Sequence, residues 1–212
     1  MDDKMTSILD DVSVYYSEKI TQFGATPQGV DWNSEESQIK RFEQLCKIID
    51  IRNKACSIND LGCGFGALLA YLQDKHSSCS CLGVDISHEM IRVAEQRYAE
   101  FRQARFISSS KPDQIADYGI ASGIFNVRLG RNDAEWSQYL QLTLDLINET
   151  SRDGFAFNCL TSYSDKDKMR NYLYYADPCQ LFDLCKRRYS RQVSLLHDYG
   201  LYEFTILVRK AP

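Results

Sequence analysis

The sequence carries eight cysteines, Cys46, Cys56, Cys63, Cys79, Cys81, Cys159, Cys179 and Cys185, but no Cys-x-x-Cys pair. Its closest pair is Cys79 and Cys81, and none of the three histidines stands beside a cysteine. The tight ligand spacing of a zinc site is therefore missing, and no metal is expected. Positive charge is not in excess either. Lys and Arg number 25 against 29 Asp and Glu, a net charge of -4, which leaves no basic footprint for nucleic acid. No apolar run approaches the ~20 residues of a membrane span. The opening "MDDKMTSILD" is polar and acidic, unlike a signal peptide. There are only four prolines, and no repeat, low-complexity tract or linker. These absences point to a cytoplasmic protein with neither membrane nor nucleic-acid partners, its thiols reduced and serving mostly as core filler. At 212 residues and 44% hydrophobic, the chain suits one domain with a sizeable core.

The apolar pattern divides the chain in two. Residues 6–20 place Ile8, Leu9, Val12, Tyr15, Tyr16 and Ile20 close to a 3.6-residue period, which predicts a helix. "TQFGATPQGVDWN" follows as a loop, and its Asp31 and Trp32 suit a lid. A second helix opens at Ser34 or Asn33, with Glu35 and Glu36 in its first turn and a buried stripe of Ile39, Phe42, Leu45, Cys46 and Ile49. Beyond residue 57 the pattern alternates. Strands are expected at 57–61, 81–87, 104–109, 118–126 and 154–160, and helices at 67–74, 89–101, 136–149 and 178–188. Residues 190–210 hold two apolar strands separated only by about "HDYG", a connection too short for a parallel crossover. The expected fold is α/β: a doubly wound sheet of seven strands, mainly parallel, ending in an antiparallel hairpin. Residues 1–50 would form a helical cover on a core of residues 51–212, all within one domain.

Between the first strand and the helix after it lies "NDLGCGFG". Gly62, Gly64 and Gly66 stand at the carboxyl end of a strand, where a doubly wound sheet binds ligands, and small residues let a ligand approach the backbone. Asp60 precedes the turn. Asp85 ends the second strand, where a carboxylate can accept hydrogen bonds from both hydroxyls of a ribose. No Gly-Lys-Ser/Thr follows, so Walker-type phosphate binding is excluded. Ala67 could stand for the last glycine of a G-x-G-x-x-G run, so spacing alone leaves a dinucleotide open.

"INDLGCGFGALLAYL" followed by "CLGVDISHEMIRVAEQR" resembles the S-adenosylmethionine-dependent class I methyltransferases. Their D/E-x-G-x-G-x-G turn is matched at every fixed position from Asp60 to Gly66, and the likeness runs from about residue 57 to 210. It implies a Rossmann-like sheet with the terminal hairpin, S-adenosyl-L-methionine as cofactor with S-adenosyl-L-homocysteine as product, and a small-molecule methyl acceptor. It also implies that Asp60, Gly62, Cys63, Gly64 and Gly66 lie against the methionine moiety, and that Asp85 holds the ribose. Ile86 would lie beside the adenine with Met90 packed nearby, and Ser109, Ser122 and Tyr16 would complete the cofactor site. The acidic residue often found after strand three is replaced here by Ser108-Ser109-Ser110, with Asp113 as a substitute within reach. The N/D-P-P-Y/F tetrapeptide of amino-directed nucleic-acid methyltransferases is missing, which favours a small acceptor.

Methyl transfer is an in-line displacement, so the acceptor must be held collinear with the reacting bond and water kept out. Candidates for that work should follow strands four, five and six. Asn126 and Arg128 come from "FNVR", to orient a hydroxyl or amine and to pair with an anionic group. Tyr163, with Tyr172, Tyr174 and Tyr175, suits a polar, ring-shaped or cationic acceptor. The overall look resembles bacterial methyltransferases of polysaccharide or secondary-metabolite pathways, which implies a sugar or secondary metabolite. His197, in "HDYG", is the candidate general base. Two other readings stay open at this point. One is a non-catalytic cofactor-binding subunit. The other is an NAD(P)-dependent oxidoreductase, although "YSDKDK" misses the Tyr-x-x-x-Lys spacing.

Overall fold

The computed structural model describes residues 3–32, 34–50 and 55–210. Helix α1 (Asp3–Phe23), a 3-10 turn (Pro27–Val30), α2 (Glu35–Leu45) and a second 3-10 turn (Cys46–Ile48) come first. Then follow β1 (Cys56–Leu61), α3 (Ala67–Lys75), β2 (Cys79–Asp85), α4 (His88–Arg97), β3 (Ala104–Ser108) and β4 (Ala116–Ala121). The chain ends with α5 (Asp133–Glu149), β5 (Ser151–Leu160), α6 (Pro178–Arg188), β6 (Gln192–Leu196) and β7 (Glu203–Arg209).

The seven strands form one sheet in the order β3-β2-β1-β4-β5-β7-β6. Neighbours from β3 to β5 are parallel, and β7 runs antiparallel to both β5 and β6. β6 therefore points the same way as β5, and the residues after it emerge at the carboxyl edge of the parallel strands. The central strands are apolar nearly throughout because both faces are covered. On one face pack Trp136, Leu140, Leu144 and Ile147 of α5 with Phe155 and Phe157 of β5. On the other pack Phe42 and Leu45 of α2 with Leu68, Leu69 and Leu72 of α3. Strand order reverses at β1 and β4, which opens a crevice above their carboxyl ends.

Helix starts follow their capping residues. The Ser34 hydroxyl accepts from the Ser37 N–H, while Asn33 lies outside the described residues. Asn132 and Glu135 form a reciprocal capping box that starts α5 earlier than the apolar pattern alone suggests. Asp177 caps α6, with Pro178 at its first position.

Several expectations need correction. Ile39 is 41% exposed, and α2 buries Gln38, Arg41 and Gln44 beside Phe42 and Leu45 instead. A stripe drawn from apolar residues misses a polar group such as Arg41, which finds Glu203 inside. β4 stops at Ala121 because the chain turns at Gly123, where φ is 80°, so Phe125 and Asn126 lie in a turn and not on a strand. α4 ends at Arg97 rather than residue 101, with Tyr98 as its C-terminal cap. The tyrosine-rich stretch after β5 is irregular and bridges back to the β4 turn through Val127 and Leu173. The cysteines are not all thiols. Cys56 and Cys79 face each other across the β1–β2 register with Cα atoms 4.5 Å apart and are disulfide-bonded. Parallel register creates that pair from residues 23 apart, which spacing along the chain does not reveal. Cys46, Cys63, Cys81, Cys159 and Cys185 are buried thiols, and burial raises their pKa values.

Candidate cofactor and acceptor site

The site begins where β1 ends. Gly62 and Gly64 both take positive φ, 74° and 54°. This turns the chain sharply enough for the N–H groups of Gly62 and Cys63 to reach the Val84 carbonyl, at 2.7 and 3.1 Å. The glycine turn is thereby tied to the last residues of β2. Asp85 completes the tie: its carboxylate accepts from the Gly64 N–H and the Ser87 N–H, both at 2.9 Å. Burial pushes the Asp85 carboxyl above the usual range, and those backbone donors pull against it. Asp60, on β1, is only 2% exposed. Burial, and then the neighbouring Asp85, push its carboxyl up to about 8.

The three glycines do different jobs. A Cβ on Gly62 would stand 2.1 Å from Ile124 Cγ2, on the loop after β4. One on Gly64 would meet Val30 Cγ1 at 3.0 Å across the crevice. One on Gly66 would meet the rings of Tyr98 and Phe106, at 2.8 and 3.2 Å, behind the turn. Gly62 thus makes room for Ile124 of the β4 loop and Gly64 for Val30 of the roof, both at the crevice, whereas Gly66 makes room for the Tyr98 and Phe106 rings behind the turn.

Above the turn is a cavity of about 510 Å³, within the range of small-molecule sites. Its base is Asp60, Gly62, Cys63 and Gly64. One end lies at the tips of β2 and β3, with Asp85, Ile86, Met90 and Ser109 to Lys111. The other lies at the β4 turn, with Ser122, Gly123 and Ile124. Tyr139, Leu142 and Leu146 of α5 form a side wall. The roof comes from the amino-terminal segment: Leu9, Val12 and Tyr16 of α1, Val30 and Trp32 of the loop, and Gln38 and Phe42 of α2.

Specific contacts hold that roof down. Ser13 Oγ donates to the Ile86 carbonyl at 3.3 Å, and Ser17 Oγ bonds Ser87 Oγ and Glu89 Oε2, both at 2.9 Å. Tyr15 Oη and Lys19 Nζ both reach the Asp31 carboxylate, at 3.0 and 2.9 Å, which fixes the loop carrying Trp32. Desolvation raises the phenols of Tyr15 and Tyr16. Arg41 stacks on Trp32, with its guanidinium carbon 3.8 Å from the ring centroid. The same guanidinium forks onto Glu203 at 2.6 and 2.7 Å. Asn158 donates to Glu203 at 2.5 Å and accepts from the Gly123 N–H at 2.8 Å. A buried polar chain therefore runs from the roof through β7 and β5 to the β4 turn.

Of the residues singled out in the sequence for a cofactor, Asp60, Gly62, Cys63, Gly64, Asp85, Ile86, Met90, Ser109, Ser122 and Tyr16 all line this cavity; Gly66 does not. Asp113 is held away from it by a two-pronged pair with Arg105, at 2.6 and 2.7 Å. The acceptor candidates lie elsewhere, and none lines the cavity. Asn126 is buried, with its Oδ1 accepting from the Leu160 N–H at 3.0 Å. Arg128 pairs with Asp133. Tyr163 is 69% exposed on the outer rim, and the exposed His197 stands 6.0 Å from it, ring to ring. Gln38, Phe42, Leu142 and the Arg41–Glu203–Asn158 chain were not legible as site residues. Their one signal is that Gln38 and Arg41 share a helical face with Phe42 and Leu45.

Among the described residues no group of three or more His, Cys, Asp or Glu stands together as metal ligands, and no helix is long and apolar enough to cross a membrane.

Residues 58–147 match a family model described as a methyltransferase domain. Rv1506c of Mycobacterium tuberculosis, a methyltransferase by name, is 62% identical over 155 residues, spanning 73% of this chain and 93% of its own. Among solved structures, DhpI in complex with S-adenosylhomocysteine matches with a TM-score of 0.63 at 15% identity, covering 97% of this chain and 98% of that one. Magnesium protoporphyrin IX methyltransferase of Synechocystis with bound S-adenosylhomocysteine matches with a TM-score of 0.65 at 12% identity, over 98% and 100%. Human N-acetylserotonin methyltransferase in complex with S-adenosylmethionine matches with a TM-score of 0.60 at 17% identity, over 99% of this chain and 67% of that one.

Proposed function

The chain belongs to the methyltransferase-domain family, and on that premise we propose that it binds S-adenosylmethionine in the crevice above the glycine turn and methylates a small molecule. The observation that carries this reading is the gathering of Asp60, the backbone of Gly62 and Gly64, Asp85 and Ser122 around one cavity. That set fits the cofactor. Asp85 offers a carboxylate to vicinal ribose hydroxyls, Ile86 and Met90 offer apolar walls to a planar base, and Gly64 leaves a cradle that a side chain would fill. Ser122 Oγ is buried without a hydrogen-bond partner, an unmet group that a polar ligand satisfies.

When bound, the cofactor supplies a methyl group on a positively charged sulfur. The chain's own residues supply the rest. Leu9, Val12, Trp32 and Phe42 roof the cavity and keep water out, so a developing charge is handled by fixed protein groups. Asp60, largely neutral below about pH 8 in the closed cavity, ionises more readily once a cation stands beside it. His197 remains the proposed general base, from a position outside the cavity lining; no proton transfer is assigned to Asn126 or Arg128, whose side chains are engaged elsewhere. A small acceptor accords with the structural neighbours, whose names include an N-acetylserotonin and a protoporphyrin methyltransferase, and within that class we propose a sugar or a secondary metabolite. The nicotinamide reading gives way with the family.

Calorimetric titration tests this. The wild type should bind S-adenosylhomocysteine, and Asp85→Ala should weaken that binding about 10- to 100-fold, as expected when charged hydrogen bonds are unmade. Binding of NAD with no binding of either S-adenosyl compound would overturn the reading.

A further inference from the structure

We propose that Gln38, Trp32 and Phe42 form the acceptor subsite, and that it takes an uncharged ring bearing a hydroxyl or amide rather than a carboxylate or phosphate. This rests on the methyltransferase reading above. Three observations carry it.

The first is position. Trp32 lies so close over the β4 turn that a Cβ on Gly123 would stand 2.4 Å from its Cζ2. Trp32 thus closes the cavity at the β4 end, away from Asp85 at the tip of β2. A ribose held by Asp85 leaves the roof over β4 for whatever receives the methyl group.

The second is an unused polar group. Gln38 lines the cavity and is only 7% exposed; its amide is not sealed off but opens onto the cavity, with no side-chain hydrogen bond among the described residues. An amide open to a cavity is free to pair with what enters it, and this one shares the cavity wall with Trp32 and with Phe42, one helical turn further along α2. A side-chain amide carries both a donor and an acceptor. Its natural complement is a group that also carries both, a hydroxyl or another amide, set on a body that covers the aromatic rings.

The third is charge. Arg41 is a cation at this wall, stacked on Trp32, but both prongs of its fork are given to Glu203. Its Nη1 is buried without a partner, so a donor remains there while the charge is already balanced. Lys111, the only Lys, Arg or His lining the cavity among the described residues, belongs to the far end, beyond β3. A carboxylate or phosphate entering beside Trp32 would lose its hydration and find no unpaired cation. An uncharged oxygen meets no such penalty.

The test uses protein loaded with S-adenosylhomocysteine and two matched pairs of probes: methyl glucoside against glucuronate, and phenol against benzoate. Binding is followed by ligand-observed NMR. The expected result is that the uncharged member of at least one pair binds tenfold or more tightly than its acid. Gln38→Met, which keeps the side-chain length, should weaken that binding about tenfold while leaving S-adenosylhomocysteine affinity unchanged. The proposal is overturned if the acids bind as well as the uncharged probes, or if no probe binds. It is also overturned if Gln38→Met weakens S-adenosylhomocysteine itself, because Gln38 would then belong to the cofactor's side. Should the variant fail to fold, the wild-type pairs decide alone. Wild-type protein that does not bind S-adenosylhomocysteine overturns the cofactor reading, and this inference with it.

Discussion

Gly62 and Gly200 have nearly the same backbone, φ 74° and 73°, but opposite surroundings. A Cβ on Gly62 would collide with Ile124, whereas one on Gly200 would meet nothing within 4 Å. Gly200→Ala should therefore cost only the left-handed backbone strain, about 1–2 kcal/mol. Gly62→Ala should add the displacement of Ile124, a further ~1–3 kcal/mol typical of overpacking. Urea denaturation measures both, and only Gly62→Ala should also weaken S-adenosylhomocysteine binding, since Gly62 lines the cavity. Equal losses from the two variants would mean that Ile124 yields freely. At this scale the glycine run was legible as a ligand turn, but not its division of labour. Gly66 has the same φ sign as Gly62 and Gly64, and only the neighbouring Tyr98 and Phe106 rings show that it serves packing.

Helix α2 shows how an element can be read correctly and faced wrongly. Its cap and its core residues Phe42 and Leu45 follow from the sequence, but Ile39 faces solvent and Arg41 faces the interior. The reason is Glu203 at the start of β7, which is 2% exposed and takes both prongs of the Arg41 fork. Removing one partner leaves the other charge buried. Arg41→Ala should therefore destabilise the fold by about 3–5 kcal/mol. Replacing both charges with apolar residues, as Arg41→Met with Glu203→Leu, should recover much of that loss in a denaturation-based double-mutant cycle. If Arg41→Ala alone proves neutral, water reaches Glu203 and the pair is not sealed. The terminal hairpin shows the contrary case. A connection too short for a crossover leaves one topology, so β6 and β7 were legible without any knowledge of their neighbours.

At the scale of the whole molecule, the cavity stores an electrostatic cost. Asp60 titrates near pH 8 when folded, against an ordinary carboxylate value of 3.8. Between those values the folded protein holds a proton that the unfolded chain has released, so stability falls as pH rises from about 4 to 8. Asp85, also raised, adds in the same direction. Asp60→Asn should flatten that slope, as read from melting temperatures across the pH range, and should narrow the stability gap between pH 5 and pH 8. An unchanged slope would show that Asp60 is solvated when folded. A cationic ligand whose binding displaces the Asp60 proton should shift the wild-type curve less at pH 6 than at pH 8.5.

The sequence by itself determined the alternation of strands and helices, the closing hairpin, the ligand turn and the two acidic residues that flank it. These depend on local periodicity, capping and turn chemistry, which act over a few residues. Tertiary structure alone decided which distant groups meet. Arg41 finds Glu203 across 162 positions, Cys56 finds Cys79 through strand register, and Asn126 spends its amide on Leu160 instead of a ligand. Burial rewards a polar side chain only when its partner arrives from another element, and the order in which strands assemble determines which partner that is.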